Sequence, residues 1–196
     1  NYVANDGYGH QAGGSYTNYG IRPAINLQGN VKIIDGDGSE DNPYRLEGDN
    51  DTNLSGTKLN TRYSGEYLTF GAGENNLYRI VSHETEGLTK ITSAEPLKEN
   101  GIFKIISFGD TVNYSPSNII GTFLNGEYLT NYVGNNYSNM IEDNTTWYLG
   151  NLVFNSYNYK LAKYSNENME NFTSNKVASK IGLLRYGELM TGKSEN

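Results

Sequence analysis

The sequence predicts an α+β protein with small, mostly antiparallel sheets, one main helix and extensive loops. Three observations lead to this class. Short apolar segments of strand length alternate with turns rich in Gly, Asn, Asp and Ser. One long segment, after Ser115, repeats its apolar residues at helical spacing. Hydrophobic residues make up only 36% of the 196 residues, whereas there are 23 Gly and 17 Tyr, so the aliphatic interior is modest.

The first part of the chain combines a polar segment with short strands. Residues 1–19 are Gly-rich, with an aromatic residue every few positions, and strands are predicted at 21–27, 31–34 and 43–46. Residues 47–61 have the polar composition of a linker. We therefore place a boundary near Asn50, between a segment 1–50 and a segment 51–196.

The second segment begins with four predicted strands, at 66–70, 77–82, 88–93 and 102–107. The second and third are joined by His-Glu-Thr-Glu-Gly, in which Gly87 suits a left-handed turn position. This pattern predicts a β-hairpin.

The main helix is predicted to begin at Ser-Pro-Ser-Asn, with Ser115 or Ser117 as the cap and Pro116 in the first turn. Gly121 and Gly126 weaken this helix. The remaining predicted elements are a helical turn at 138–141, a strand at 145–150, a polar loop at 164–178, and a strand that runs into a helix over 179–190.

Four segments together resemble a known domain: LNGEYLTNYV, TTWYLGN, KIGLLRYGELMTG and GIRPAINL…GDGSEDNPYRL. They are similar to an uncharacterised domain of Gram-positive surface and pilin-like proteins, which is itself similar to the C-type-lectin-like fold of formylglycine-generating enzymes. The resemblance covers most of residues 55–196 and, separately, residues 1–46. It implies a C-type-lectin-like fold.

The order of these segments is rotated relative to the family pattern, in which GIRPAINL and its GDGS–NPY hairpin come last. Residues 1–46 resemble the end of one copy, and residues 55–196 resemble the head and middle of another. Three explanations are open: one period of a tandem array, the ordered part of a longer protein, or a subunit that donates its N-terminal strands to a neighbour. Each favours a polymer or a chain of beads, because unpaired strand edges recruit strands.

Composition argues against several classes of function. The net charge of −7, with 15 basic residues and no basic cluster, argues against nucleic acid as a partner. No segment has the ~20 consecutive apolar residues of a membrane span. The chain has no Cys, so the cysteine chemistry of formylglycine-generating enzymes is not carried over. His10 and His83 are interpreted as solvated loop residues, and we expect no enzymatic activity.

One metal site is a candidate. Asp35, Asp37, Ser39 and Asp41 fall at alternate positions in DGDGSED, where a curled loop could turn several oxygens onto Ca²⁺. The alternative is a plain hairpin turn, because Asp, Gly and Asn also suit turn geometry and no bidentate Glu follows. Apart from this possible calcium, no cofactor is predicted.

A ligand-binding surface is predicted in the Tyr-rich segment before the first strand. Tyr provides broad contact area, while Ser, Gly and Asn adapt their hydrogen bonds. The resemblance to C-type-lectin-like domains places these residues on the ligand-facing surface: Tyr2, Asn5, Asp6, Tyr8, His10, Tyr16 and Tyr19. The alternative is a Tyr-rich loop that packs on its own sheet or on a neighbouring subunit.

Strand GIRPAINL is the predicted assembly element, through Ile21, Arg22, Ala24 and Leu27. Arg22 is also interpreted as a buried or half-buried residue that bonds to carbonyl groups or a carboxylate, with an anion anchor as the alternative. Trp147 is interpreted as a core or subdomain anchor rather than a platform for a sugar. We expect an extracellular, non-catalytic, structural or adhesive unit of a bacterial surface fibre, whose partners are copies of itself and a glycan or protein. The alternative is a monomeric C-type-lectin-like module that binds a glycan or peptide.

Overall fold

The computed structural model describes residues 2–3, 9–10, 18–46, 55–111, 113–149, 175–185 and 188. Within this part of the chain the strands are β1 (Tyr2–Val3), β2 (Gly9–His10), β3 (Asn18–Gly20), β4 (Pro23–Leu27), β5 (Tyr67–Thr69), β6 (Leu77–His83), β7 (Thr89–Ser93), β8 (Lys98–Glu99), β9 (Ile102–Phe103), β10 (Ile105–Ser107), β11 (Thr145–Tyr148), β12 (Lys176–Ser179) and β13 (Ile181–Leu183). The α-helices are α1 (Ile119–Asn125) and α2 (Asn135–Ser138), and a π-helix spans Leu129–Val133. The α+β class with small, mostly antiparallel sheets and one main helix is thus confirmed.

The largest described sheet has five antiparallel strands in the order β13-β4-β7-β6-β5. Four isoleucines in register cross it in one row, Ile181, Ile25, Ile91 and Ile80, and none of them is exposed. Because side chains alternate between the faces of a strand, this row marks the apolar face of the sheet. The row joins β4, the β6–β7 hairpin and β13, which are far apart in the sequence, into one core.

The apolar face packs against α1 and the π-helix. Leu124, Tyr128 and Val133 belong to the same buried cluster as the isoleucine row. The hydroxyl groups of Tyr78, from β6, and Tyr128 form a fully buried hydrogen bond. Burial favours the neutral phenol and raises the pKa of both tyrosines.

Strand β4 is an interior strand of the sheet, and the strands on both its sides belong to the same chain. It pairs with β7 on one side and with β13 on the other, and all five of its residues are buried. Strands from the two predicted segments therefore build one sheet. The proposed boundary near Asn50 lies outside the described residues.

The predicted hairpin is confirmed as β6 and β7, and Gly87 in its loop has a φ of 78°. Strands predicted at 66–70 and within 145–150 are also present, as β5 and β11. The predicted strand at 21–27 is shorter at its start, where β4 begins at Pro23.

Other predictions were wrong in detail. Residues 31–34 and 43–46 form only isolated bridges rather than strands. The strand predicted at 102–107 is interrupted at Lys104, because β9 pairs with β8 whereas β10 pairs with β3. The last residues of the predicted polar loop at 164–178 form a strand instead, because β12 begins at Lys176 and pairs with β11.

The helix start also differs from the prediction. The cap of α1 is Asn118 rather than Ser115 or Ser117, because its Oδ1 accepts a hydrogen bond from the N–H of Gly121 at 2.8 Å. The helical turn predicted at 138–141 lies earlier, as α2. The helix predicted near the C-terminal end falls mainly outside the described residues.

Candidate functional site

An exposed apolar surface lies on the two-stranded ribbons beside the main sheet. Ile102 is 74% exposed, Phe103 52% and Ile105 56%; we call these three residues the apolar ridge. Ile102 and Phe103 belong to β9 and Ile105 to β10, on either side of Lys104. Lys104 forms ion pairs with Glu99 and with Glu127, at 3.1 and 3.2 Å. Exposed apolar side chains of this size, close together along the chain, make this ribbon a candidate contact surface.

The apolar ridge adjoins the predicted Tyr-rich segment. In the ribbon of β10 and β3, Ile105 lies opposite Gly20 and Ile106 opposite Tyr19. Tyr19, a predicted ligand-binding residue, is half-buried there. Ile105 of the ridge and the point where the Tyr-rich segment enters β3 are therefore neighbours in one ribbon.

The structure places the other predicted ligand-binding residues only in part. Tyr2 and His10 are opposite each other in the backbone pairing of β1 and β2. Asn5, Asp6, Tyr8 and Tyr16 lie outside the described residues. Of the predicted ligand-binding residues, Tyr19 is the one that the structure places beside the ridge, in β3. The ligand-binding role of all seven residues stays a prediction.

Three of the predicted calcium residues, Asp35, Asp37 and Ser39, already have partners within the protein. The Asp35 carboxylate is paired with Arg45, and its Oδ1 accepts a hydrogen bond from the N–H of Gly36. Asp37 Oδ1 accepts from the N–H of Ser39 at 2.9 Å, and Ser39 Oγ accepts from the N–H of Asn42 at 3.1 Å. The backbone hydrogen bond from Ser39 lowers the pKa of Asp37. Asp41 is exposed, so the plain-turn alternative accounts for this loop.

The GDGS–NPY motif instead has a packing role. Gly36 and Gly38 have φ values of 88° and 84°, which favour glycine. A Cβ at Gly38 would lie 2.6 Å from Cζ of Tyr44. Tyr44 is fully buried, and its hydroxyl accepts a hydrogen bond from Nε of Arg62 at 2.9 Å. The motif thus closes a turn over a buried tyrosine.

The predicted assembly residues lie in the chain's own core. Ile21 is 2% exposed, and Ala24 and Leu27 are not exposed at all. Arg22 is half-buried, and its Nε donates a hydrogen bond to the carbonyl of Ser93 at 2.9 Å. Of the two predicted partners of Arg22, a carbonyl or a carboxylate, the structure shows a carbonyl. Burial lowers its pKa, and the nearby charge of Arg79 lowers it further.

A buried charge cluster lies on the opposite face of the sheet from the isoleucine row. Lys90 Nζ is 2.8 Å from Glu188 Oε1 and 2.9 Å from Glu84 Oε1. Glu188 Oε2 accepts hydrogen bonds from the backbone N–H of Arg185 at 2.8 Å and from its Nε at 3.3 Å. Lys90 is 4% exposed and Glu188 2%. The alternation in Thr-Lys-Ile-Thr-Ser shows that Lys90 points away from Ile91, but it does not identify Glu188 as a partner.

Strand β11 covers this cluster. Trp147 is 3% exposed and its Nε1 donates to the carbonyl of Ser179 at 2.8 Å, so its prediction as a core anchor is confirmed. Lys90 Nζ lies 5.4 Å from the centre of the indole. Asn26 Nδ2 donates to Thr145 Oγ1 at 3.1 Å. Lys90 and Asn26 therefore both contact β11, at alternate residues of that strand.

His83 is not the solvated residue that we expected. It is 6% exposed, its Nδ1 is 3.2 Å from Thr89 Oγ1, and its Nε2 is 2.6 Å from the carbonyl of Arg62. The long strand β6 extends through His83 and draws it into the sheet. With both ring nitrogens hydrogen-bonded, this imidazole serves to hold the loop around Arg62.

The described residues contain no group of three or more His, Asp or Glu side chains placed to hold a metal ion. Among the helices that the structure describes, none has the length and apolar character needed to cross a membrane.

The residues of the apolar ridge are not among the site residues predicted from the sequence. The segment Ile-Phe-Lys-Ile-Ile-Ser is predicted from the sequence only as a strand at 102–107, with neither face assigned to solvent. The sequence did contain a signal for this exposed surface. The segment has apolar residues at successive positions, which lie on both faces of a strand, whereas a strand with one face in solvent alternates apolar and polar residues. Comparison of the chain with protein-family models, with curated proteins and with solved structures found no significant match.

Proposed function

We propose that this protein is an extracellular, non-catalytic, structural or adhesive unit of a bacterial surface fibre, with a C-type-lectin-like fold. The observation that carries the proposal is the apolar ridge of Ile102, Phe103 and Ile105, which is exposed beside the Tyr-rich segment. The partner that fits this surface is a second copy of the chain.

Contact through the ridge leaves the main sheet intact. Donation of β4 to a neighbour, the route suggested by the sequence, would first break its pairing with both β7 and β13. The ridge needs no such rearrangement, because its side chains are already exposed. We therefore favour the ridge over strand exchange as the contact between copies.

The size of the ridge indicates a weak contact. Complete burial of three such side chains would contribute roughly 4–8 kcal/mol. Association itself costs on the order of 4–15 kcal/mol in lost translational and rotational freedom. A single ridge contact is thus insufficient for a stable dimer, whereas many tethered copies would hold together through their high effective concentration. The comparison of these two free energies favours an array of many linked copies over an isolated dimer.

Sedimentation velocity over a concentration series tests the proposal. The chain should associate weakly at high concentration, and the triple variant I102S/F103S/I105S should sediment as a monomer throughout. The variant Y63S is the matched control, because Tyr63 is 40% exposed but lies outside the ridge. Association that is equal in the triple variant and the wild type would overturn the ridge as the contact.

The ligand-binding alternative has its own outcome in the same experiment. A chain that is monomeric at all concentrations and binds a glycan or peptide would support the module instead. Loss of that binding in Y8A/Y16A, with the sedimentation unchanged, would locate the ligand in the Tyr-rich segment.

A further inference from the structure

The dipeptide Asn-Gly occurs twice in the chain, as Asn100-Gly101 and as Asn125-Gly126, and the structure gives the two copies opposite environments. Glycine has no Cβ, so it leaves its own backbone nitrogen uncovered, and that nitrogen can attack the carboxamide carbon of the preceding Asn. The reaction depends on how freely the carboxamide and the nitrogen can move. The fold therefore decides which of the two pairs reacts.

Asn100-Gly101 is the exposed tip of the hairpin that carries the apolar ridge. The pairing of β8 with β9 places Glu99 opposite Ile102, so Asn100 and Gly101 form the two-residue loop between the strands. Their φ values are 55° and 78°, and the common two-residue hairpin turn requires a positive φ at both positions. Both residues are exposed. The reactive pair thus lies in water, directly before the ridge.

The backbone nitrogen of Gly101 is bonded to a side chain rather than across the hairpin. Its N–H donates to the Glu74 carboxylate, at 3.1 Å to Oε2 and 3.3 Å to Oε1. These contacts are exposed to solvent, and exposed contacts to a charged group contribute little, because water replaces them readily. The nitrogen can therefore leave Glu74 without any change in the pairing of β8 and β9.

Asn125, the last residue of α1, has a fixed carboxamide instead. Its Nδ2 donates to the Tyr114 hydroxyl at 3.0 Å and to the carbonyl of Gly121 at 2.9 Å. Its Oδ1 accepts from Ser179 Oγ at 3.0 Å and from the N–H of Ile181 at 3.1 Å. Attack on this carboxamide has to break these hydrogen bonds, so the fold protects the second Asn-Gly pair.

We propose that Asn100-Gly101 is a site of spontaneous modification, at which Asn100 is converted to aspartate and isoaspartate and the apolar ridge is rearranged. The Gly101 nitrogen attacks Cγ of Asn100. The N–Cγ bond forms, the Cγ–Nδ2 bond breaks, and Nδ2 departs as ammonia with the proton of the Gly101 nitrogen. Water then opens the five-membered imide, at Cγ to give aspartate or at the main-chain carbonyl carbon to give isoaspartate. Water is the only reagent consumed.

Isoaspartate does not fit the register of this hairpin. Its main chain runs through Cβ and Cγ, which lengthens a loop whose length fixes the register of the strands. Lys98 of β8 is held on both sides by Asn75, because its N–H donates to Oδ1 at 2.7 Å and its carbonyl accepts from Nδ2 at 2.8 Å. Strand β8 is thus anchored. Strand β9, with Ile102 and Phe103 of the ridge, is the strand that must shift.

The modification also changes the charge beside the ridge. Both products add a carboxylate next to Glu99 and close to Glu74, which contacts Gly101. Conversion should therefore weaken the contact between copies of the chain. This effect on association rests on the proposed function, whereas the modification and the shift of β9 do not.

Tandem mass spectrometry of a digest tests the modification, after the folded, full-length chain has been kept for weeks at neutral pH and physiological temperature. The converted fraction at Asn100 should exceed that at Asn125 by at least about tenfold, which corresponds to about 1.4 kcal/mol. The same incubation in urea is the control for intrinsic reactivity, and there the difference should largely disappear. An unmodified Asn100, or equal conversion of both residues in the folded chain, overturns the proposal.

Variants separate the added charge from the lengthened main chain. N100Q is the matched control, because Gln keeps the carboxamide but would need a larger ring, and it should stay unmodified. Freshly prepared N100D has the charge without the longer main chain. Amide hydrogen exchange at Ile102–Phe103 should be at least about tenfold faster in the purified isoaspartate form, whereas fresh N100D should exchange like the wild type. Equal exchange in all forms would overturn the rearrangement of the ridge.

Sedimentation velocity distinguishes a failure of this proposal from a failure of the proposed function. If the fresh chain associates, the isoaspartate form should associate more weakly, and equal association would contradict the effect on the contact. If the fresh chain is monomeric at every concentration, the ridge is not a contact between copies. The conversion of Asn100 and the faster exchange of β9 are then still expected.

Discussion

The indole of Trp147 lies directly against the backbone of Gly182. Strand β13 carries Gly182 beside Ala24 of β4, and a Cβ at Gly182 would lie 2.6 Å from Cε2 of Trp147, closer than packed atoms approach. The same indole forms the cover over Lys90. This contact explains why the segment Lys-Ile-Gly-Leu-Leu has a glycine between two apolar residues.

Replacement of Gly182 by alanine should destabilise the protein. The added methyl group must displace Trp147 or the strand, and such overpacking costs roughly 1–3 kcal/mol. Urea unfolding measures the loss. In a W147A background the methyl group has space, so the same change should cost much less, and an equal cost in both backgrounds would contradict this account.

The hydroxyl pair of Tyr78 and Tyr128 should behave as one unit. Each single change to Phe leaves the other hydroxyl buried without its partner and should cost about 1–3 kcal/mol. The double variant should lose less than the sum of the two single losses. Y63F serves as the control, because Tyr63 is 40% exposed and should change stability by no more than about 0.5 kcal/mol. Additive losses would exclude coupling.

Stability should decrease at alkaline pH. Burial, together with the charge of Glu66, raises the pKa of Tyr44 from 10.0 to about 12. The unfolded chain releases this proton first, so the stabilisation is complete below pH 10 and is lost as the pH rises from about 10 to about 12. The free energy of unfolding in Y44F should fall less steeply over this interval, and identical slopes would contradict the assignment.

Calcium should not stabilise the chain through the DGDGSED loop. Asp35 is paired with Arg45, and Asp37 is hydrogen-bonded to Ser39, so their oxygens already have partners. We expect the melting temperature to be the same in millimolar Ca²⁺ and in EDTA. A rise with Ca²⁺ that disappears in D37N would restore the metal interpretation.

The loop should instead depend on its glycines. G38A introduces a Cβ against the ring of Tyr44 at a backbone conformation that disfavours alanine, and should cost about 1–3 kcal/mol. G101A is the control for backbone strain alone, because Gly101 also has a positive φ but nothing lies near its Cβ position. Urea unfolding should show a larger loss for G38A, and equal losses would exclude a packing role.

The local elements of this protein were predictable from its sequence. Strands β6 and β7 have the composition of strands, and the loop between them contains Gly87 at a left-handed position, which is the signal of a hairpin. Trp147 was correctly assigned to the core because large aromatic residues are rarely left in solvent. These predictions depend on interactions between residues close together in the sequence.

Which strands pair and which side chains contact one another was decided only by the tertiary structure. Lys90 and Glu188 form a hydrogen bond although they are 98 positions apart in the sequence. Strand β4, from the N-terminal part of the chain, lies between β7 and β13, and β13 comes from the C-terminal part. His83 is buried because β6 extends one residue further than its apolar pattern. The apolar ridge is exposed because Lys104 interrupts a strand whose two parts pair with different neighbours. Each outcome depends on which distant surfaces pack together, and sequence patterns encode the faces of an element but not which other element will cover them.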